Sequence, residues 1–314
     1  MTTQQLRFDP ADDAPMPHLQ SYDIILVSTS GGKDSQVMLS VVCELADVAG
    51  VRDRVVAVHC DLGRLEWSGC PELAAEQCAH FGVPLHIMRR PQGDILANVR
   101  EKHATNLRKG KQQCPWPGYA TRYCTKGHKT AQVWRLMTQL SREVRERVGK
   151  RPVRILDCWG NRAEESKRRA KQAPLEYNQE ASNKKPADWA RVNGVRYVDT
   201  WLPIHAWSTE QVWARIEAEG VPHHWAYDAG MPRLSCCFCF FALQSRKSKP
   251  LPAEEQLLWL IAGYHNRPLL REYVAVEQET GYTYVQGFSM ADLEQVLEQG
   301  WQPPTGRINA TWRD

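Results

Sequence analysis

Six consecutive residues, Ser30-Gly31-Gly32-Lys33-Asp34-Ser35, combine the groups needed to hold a polyphosphate. Two adjacent glycines remove the Cβ atoms that would keep backbone N–H groups away from an anion. Lys33 brings a full positive charge, and Asp34 is placed to hold a magnesium ion at the phosphates. The preceding Asp23-Ile24-Ile25-Leu26-Val27-Ser28 reads as a buried strand, and Gln36-Val37-Met38-Leu39-Ser40-Val41-Val42 reads as the first turns of a helix. The loop therefore ends at a helix N-terminus, where unpaired N–H groups and the helix dipole favour negative charge. It is too short for a Walker A loop and lacks the G-x-G-x-x-G dinucleotide spacing.

The surrounding pattern supplies a scaffold. Val55 to Cys60 reads as a second strand, Pro71 to Phe81 as a helix, Pro84 to Met88 as a third strand, Thr130 to Val148 as a long helix and Val153 to Trp159 as a further strand. Strands alternating with helices predict an α/β fold: an open, mostly parallel twisted sheet with helices on both faces. Gln172 to Gly194 reads as a polar loop, Val195 to Leu202 as another strand, and Ser208 as the N-cap of a helix. From Ala253 onward the pattern is helical in pieces. The expected organisation is a loose arm over 1–20, a phosphate-binding α/β domain over 21–235, and a cysteine-containing junction with a mainly helical C-terminal segment over 236–314.

Loops at strand C-termini line the ligand crevice of such sheets. Two carry chemistry: Asp61 to Trp67, with Asp61 and Glu66 for magnesium or ribose, and Gly160-Asn161-Arg162-Ala163-Glu164-Glu165-Ser166. Gly160 permits close approach of a ligand, and Arg162 and Arg169 can grip phosphate. A third constellation is Cys236-Cys237-Phe238-Cys239, a C-x-x-C pair, with Cys124 and Cys114 upstream. Cys124, Cys236 and Cys239, with Cys114 or Cys237, make four thiols, enough for a [4Fe–4S] cluster or a zinc; a redox pair or a sulfur carrier are the alternatives.

Composition narrows the class. The chain has 314 residues, 42% hydrophobic and 24% charged, with ten cysteines and a net charge of +4. The N-terminus has no apolar signal core and no apolar run approaches ~18 residues, so a cytoplasmic protein without a membrane span is expected. Ten cysteines in that compartment point to buried, metal-bound or catalytic thiols rather than a disulfide scaffold. The charge is uneven. Arg100, Lys102, Arg108, Lys109, Lys111, Arg122, Lys126 and Lys129 face one acid, Glu101, and Lys167-Arg168-Arg169-Ala170-Lys171 and Lys184-Lys185 add further clusters. Such runs suit a polyanion, with Arg108, Lys109 and Lys111 the candidate nucleic-acid contacts. Most of the twelve tryptophans are expected in the core.

Together, the loop at Ser30–Ser35, Cys124 with Lys129 five residues on, Gly160–Ser166, Leu202-Pro203-Ile204-His205-Ala206-Trp207, and Asp228-Ala229-Gly230 leading to Cys236-x-x-Cys239 resemble the sulfonucleotide reductase-like branch of the PP-loop ATP pyrophosphatases. The resemblance covers about residues 20–240 and implies an adenine nucleotide alpha-hydrolase-like fold. It also implies ATP and magnesium as cofactors, with cleavage to AMP and pyrophosphate. It puts Lys33, Asp34, Lys129 and Arg162 in catalysis, and Ser28, Ser30, Gly31, Gly32, Ser35, Asp61, Gly160 and Arg169 around the nucleotide.

Two departures count against sulfate reduction. Thr125 follows Cys124 where the reductases pair cysteines, and no cysteine follows Cys239 where they keep a tail nucleophile. The Cys-Thr-x-x-x-Lys form is more similar to the ATP pyrophosphatase subunits of DNA phosphorothioation, the DndC and SspD type. That resemblance implies adenylation of a DNA backbone phosphate, a cysteine desulfurase as sulfur donor, and other DNA-modification subunits as partners. Alternatives are an RNA-thiolating enzyme of the same superfamily, an assimilatory sulfonucleotide reductase, and a regulatory nucleotide-binding subunit without turnover.

Overall fold

The computed structural model describes residues 15–118, 121–148, 151–182, 196–242, 253–285 and 287–304. Lys184 and Lys185 lie outside the described residues. Six strands form one sheet: β1 (Ile24–Thr29), β2 (Val55–Cys60), β3 (Leu85–Met88), β4 (Val153–Cys158), β5 (Leu175–Tyr177) and β6 (Arg196–Trp201). Their order is β3-β2-β1-β4-β6-β5, and every pairing is parallel except β5 with β6. The order reverses direction at β1, so the loops leaving β1 and β4 flank the topological switch point, where open α/β sheets bind ligands.

The helices are α1 (Lys33–Val48), α2 (Cys70–His80), α3 (Ile95–Arg108), the short α4 (Tyr123–Thr125), α5 (Ala131–Val148), α6 (Lys167–Ala170), α7 (Thr209–Glu219), α8 (Ala253–His265), α9 (Arg267–Thr280) and α10 (Met290–Glu298). One face of the sheet packs on α1, α2 and α7 through residues such as Ile25, Val27, Val37 and Val212; the other packs on α5 through Leu26, Val58, Leu136 and Ile155. Burial on both faces is why β1 reads as an unbroken apolar run rather than an alternating one. Ser208 caps α7 as expected, its hydroxyl accepting from the Gln211 amide while the Gln211 side chain accepts from the Ser208 amide.

Three local differences from the sequence reading have simple causes. The basic stretch from Arg100 hides the end of α3, whose apolar face (Ile95, Leu96, Val99) is short and whose start is fixed by Asp94 accepting from the Ala97 amide. β5 lies inside the segment read as a loop, because a three-residue edge strand has too little pattern to register. The turn before α5, Lys126–Thr130, is π-wound, which moves Lys129 out of the register an α-helix would impose.

A third core joins α3 and α8 to α10 with the segments around Leu65, Trp67 and Phe238. Trp116 stacks on Tyr273 at 5.6 Å and Trp259 on Tyr284 at 5.5 Å, so aromatic packing fixes the C-terminal helices against the cysteine turn. Among the described residues no helix is long and apolar enough to cross a membrane.

Candidate active site

The phosphate loop is built by its own hydroxyls. Ser35 Oγ donates to the Gly32 carbonyl at 2.9 Å and accepts from the Ser30 amide at 3.2 Å. Gly31 adopts φ +69°, and a Cβ there would sit 3.0 Å from the Cys70 carbonyl, so glycine is required for both conformation and space. Ser28 lies within β1, one residue before its end. Gly160, after β4, packs on the loop from the other side; a Cβ would sit 3.0 Å from the Asp34 carbonyl oxygen. Gly160 thus admits the phosphate loop's own backbone.

Asp34 and Arg162 are also joined directly. Lys33 Nζ reaches Asp34 Oδ2 at 2.6 Å, and Arg162 Nε reaches Asp34 Oδ1 at 2.6 Å. Burial pushes the Asp34 carboxyl up, but Lys33 and Arg162 together outweigh it and hold the group below its ordinary value. Arg162 is 2% exposed and donates further to Glu164, the Trp207 carbonyl and Thr209. It braces the loop from beneath, with most of its fork committed to protein atoms. Arg169 pairs with Glu165, and its carbonyl accepts from or faces His205 Nε2 at 2.9 Å.

Asp61 receives the Gly63 amide at 2.6 Å and pairs with Arg89 at 2.9 Å. Both oxygens of Asp34 and of Asp61 therefore already have partners, so neither residue offers magnesium an unengaged carboxylate. Glu66 faces buried His59 at 3.1 Å, and the other ring nitrogen of His59 faces the Thr29 carbonyl at 3.3 Å, which ties the ends of β1 and β2 together.

Lys129 and the C-x-x-C turn share the same crevice. The Lys129 side chain is exposed and Cys236 and Cys239 are partly accessible, with the ammonium within electrostatic reach of both thiols. Burial alone would lower the Lys129 ammonium's pKa; Cys236, Cys60, Glu66 and Cys239 around it raise it instead. A hydrogen bond from Cys236 holds the Cys239 thiol below its ordinary value, assisted by Arg233, the Phe241 amide and Lys129.

Cys124 lies within electrostatic reach of both turn cysteines, its thiol pushed up by burial and by Cys239. Its turn is held by Arg122, which adopts φ +35°, strained for a non-glycine residue at a cost of about 1–3 kcal/mol. The Arg122 guanidinium stacks 4.7 Å over the Phe241 ring, linking the Cys124 turn to the C-x-x-C turn.

The fourth-thiol candidates lie apart from this cluster. Cys237 is 2% exposed, accepts from Asn266 at 3.8 Å, and is pushed up to about 12 by burial in the apolar core. Successive residues of a tight turn point in different directions, and Cys237 takes the inward one. Cys114 is exposed beside Tyr123. Among the described residues no group of three or more His, Cys, Asp or Glu side chains is placed to hold a metal ion. Of the four thiols expected to meet, Cys124, Cys236 and Cys239 lie within electrostatic reach of one another. Cys43, Cys70, Cys78 and Cys158 are buried, whereas Cys60 is partly accessible and donates to the Lys129 carbonyl at 3.6 Å.

The basic stretch divides. Arg100 pairs with Glu279 at 2.5 Å and Lys102 stacks 4.4 Å over Tyr123, so both serve the fold. Arg108, Lys109 and Lys111 are exposed at the end of α3. Tyr227 and Arg233 were missed by the sequence reading. Tyr227 immediately precedes Asp228-Ala229-Gly230, but nothing in its local pattern says that its hydroxyl crosses to the phosphate loop, where it receives the Lys33 amide at 2.9 Å.

Comparison with known proteins adds the lineage. A tRNA-cytidine(32) 2-sulfurtransferase of Cellvibrio japonicus (strain Ueda107) is 35% identical over 82 residues, covering 26% of this chain and 26% of the relative. That of Stutzerimonas stutzeri (strain A1501) is 36% identical over 97 residues, 31% of this chain and 32% of the relative. The chain thus spans about a third or less of the length of these curated relatives. The phosphate complex of phosphoadenylyl-sulfate reductase from Candida auris superposes with TM-score 0.41 at 13% identity, over 69% of this chain and 83% of that one. Residues 24–241, from the first strand through the C-x-x-C turn, match the phosphoadenosine phosphosulfate reductase domain, and the chain belongs to that family.

Proposed function

We propose that the chain is a PP-loop ATP pyrophosphatase that adenylates a base oxygen of an RNA and replaces that oxygen with sulfur. The observation that carries this reading is the meeting of the two chemistries in one crevice. The phosphate loop touches Tyr227, and the segment that follows Tyr227 ends in the Cys236–Cys239 pair facing Lys129. The sulfurtransferase relatives, whose names specify a tRNA cytidine, support RNA over a DNA backbone as acceptor.

The loop amides of Ser30 and Lys33 are bound to protein acceptors, so the pyrophosphate falls to the remaining amides, with Lys33 at its edge. The acceptor oxygen attacks the α-phosphorus, the bond to the β-phosphate oxygen breaks, and pyrophosphate leaves. The base carbon then carries an adenylated oxygen, a good leaving group. A sulfur nucleophile attacks that carbon and AMP departs with the oxygen. The chain contributes positioning and charge neutralisation: Lys33 near the phosphates, and Lys129 near the thiols and the incoming sulfur. The expected sulfur source is a cysteine desulfurase persulfide, whose outer sulfur passes to Cys239 by thiol exchange. The Cys239 persulfide attacks the base carbon as AMP leaves. Cys236 or Cys124 then attacks the Cys239 sulfur, breaking the S–S bond to free the thiolated base and leaving a disulfide that an external dithiol reduces.

The test is nucleoside mass spectrometry of RNA and DNA from cells with and without the gene, together with pyrophosphate release by the purified protein on unmodified tRNA. Loss of a thiolated ribonucleoside in the deletion supports the reading. Loss of a DNA phosphorothioate with RNA unchanged supports the DNA branch instead. Sulfite release from adenylyl sulfate, with neither polymer changed, refutes both.

A further inference from the structure

One buried hydroxyl joins the two halves of this chemistry, and neither half accounts for it. Tyr227 is 3% exposed. Its oxygen receives the Lys33 amide at 2.9 Å, a donor at the start of α1 that an anion could otherwise use. Leu234 packs at the same junction. Leu234 stands two residues before Cys236, and a Cβ on Gly32 would sit 3.2 Å from the Tyr227 hydroxyl and 3.3 Å from the Leu234 Cβ. Gly32 therefore leaves room for this junction as well as for phosphate. Arg233 lies within electrostatic reach of both Tyr227 and Cys239.

We propose that Tyr227 is a positioning residue whose hydroxyl sets the Cys236–Cys239 turn against the phosphate loop, so that it serves sulfur transfer and not ATP activation. The proposal rests on the adenylation and sulfur-transfer reading above. Its physical basis is the Lys33 hydrogen bond together with the packing of Leu234 at the same junction. A phenol oxygen that accepts from residue 33 and sits beside Leu234, two residues before Cys236, sets the distance between the activated acceptor and the cysteine turn. Removing it leaves the phosphate loop its own Ser30–Ser35–Gly32 bonds but releases the cysteine turn. A misplacement on the order of 1 Å at a reacting centre costs roughly 100-fold. Freeing the Lys33 amide adds a donor for the polyphosphate, so ATP binding should hold or tighten.

The experiment uses the full chain with ATP, unmodified tRNA and a cysteine desulfurase with labelled cysteine. It measures tRNA-dependent pyrophosphate release and sulfur incorporation separately in wild type, Tyr227→Phe and Trp213→Phe. Trp213 meets the Tyr227 ring edge-on at 5.3 Å, so its variant perturbs packing without removing the bridge. Expected for Tyr227→Phe are pyrophosphate release within about threefold, an ATP KM unchanged or lower, and sulfur incorporation reduced roughly 10- to 100-fold. Trp213→Phe should show no such split. A parallel loss of both steps, no loss of either, or the same split in Trp213→Phe overturns the proposal. If wild type itself releases no pyrophosphate with tRNA, the functional reading fails instead, and the two failures are told apart by that one lane.

Discussion

Asp34→Asn tests the electrostatic frame of the phosphate loop. The substitution keeps the side chain's size and removes its charge. In the native protein each Asp34 oxygen meets one cation, Lys33 at 2.6 Å and Arg162 at 2.6 Å, and the side chains of both cations are at most 5% exposed. Removing one partner of a buried pair costs about 3–5 kcal/mol. Arg162 keeps Glu164, Thr209 and the Trp207 carbonyl, so most of the penalty falls on Lys33 and the lower figure, about 3 kcal/mol, is expected. For a chain of 314 residues that corresponds to a fall in Tm of roughly 4–5 °C. Thermal and urea unfolding measure it.

A saturating non-hydrolysable ATP analogue should narrow the gap, because its phosphates give Lys33 a replacement anion. The pH dependence has a definite sign. Asp34's folded pKa lies below its unfolded value near 3.9, so its contribution is complete above that value and is lost as pH falls through the folded value. The stability difference between wild type and Asp34→Asn should be flat from about pH 5 to 8 and close only under more acid conditions. A stability change under ~0.5 kcal/mol would show that the Lys33–Asp34–Arg162 triad does not hold the loop.

Other expectations follow from the same geometry. Gly160→Ala places a methyl 3.0 Å from the Asp34 carbonyl, and overpacking should cost about 1–3 kcal/mol and weaken ATP binding, read by unfolding and calorimetry; an unchanged ATP affinity would contradict the packing role. Cys239→Ser and Cys124→Ser should abolish sulfur incorporation while leaving pyrophosphate release, whereas Cys237→Ala should lower stability and spare sulfur transfer. Equal loss of sulfur transfer in all three would put Cys237 in the reacting set. Charge reversal at Lys109 and Lys111 should lower RNA affinity and flatten its log–log salt dependence by up to about 0.7 per lost single-strand phosphate contact, with ATP binding unchanged. An unaltered salt slope would remove the end of α3 from the RNA path.

The parallel sheet and its phosphate loop were legible because their signals are local. A four-residue apolar stretch of β1 and the glycine pair that follows it need no partner to be read. The ligand edge of the sheet was legible for the same reason, since each candidate loop directly follows a strand. The direction of each side chain was not. Arg162 and Asp34 are both functional choices in the sequence, but only packing shows that they bind each other. Cys237 sits between two cleft cysteines and turns into the core because Asn266 and the aromatic cluster receive it there. Tyr227 reaches residue 33 across 194 positions, a contact no periodicity encodes.

The central claim is that the acceptor's oxygen leaves on AMP. The direct measurement uses a tRNA whose base carbonyl carries a heavy oxygen isotope, incubated with ATP, the protein and a sulfur-charged desulfurase, followed by mass spectrometry of the released nucleotides. The heavy oxygen is expected in AMP, in proportion to the sulfur incorporated. Heavy oxygen retained in the RNA, with ADP and phosphate as products, would contradict the claim.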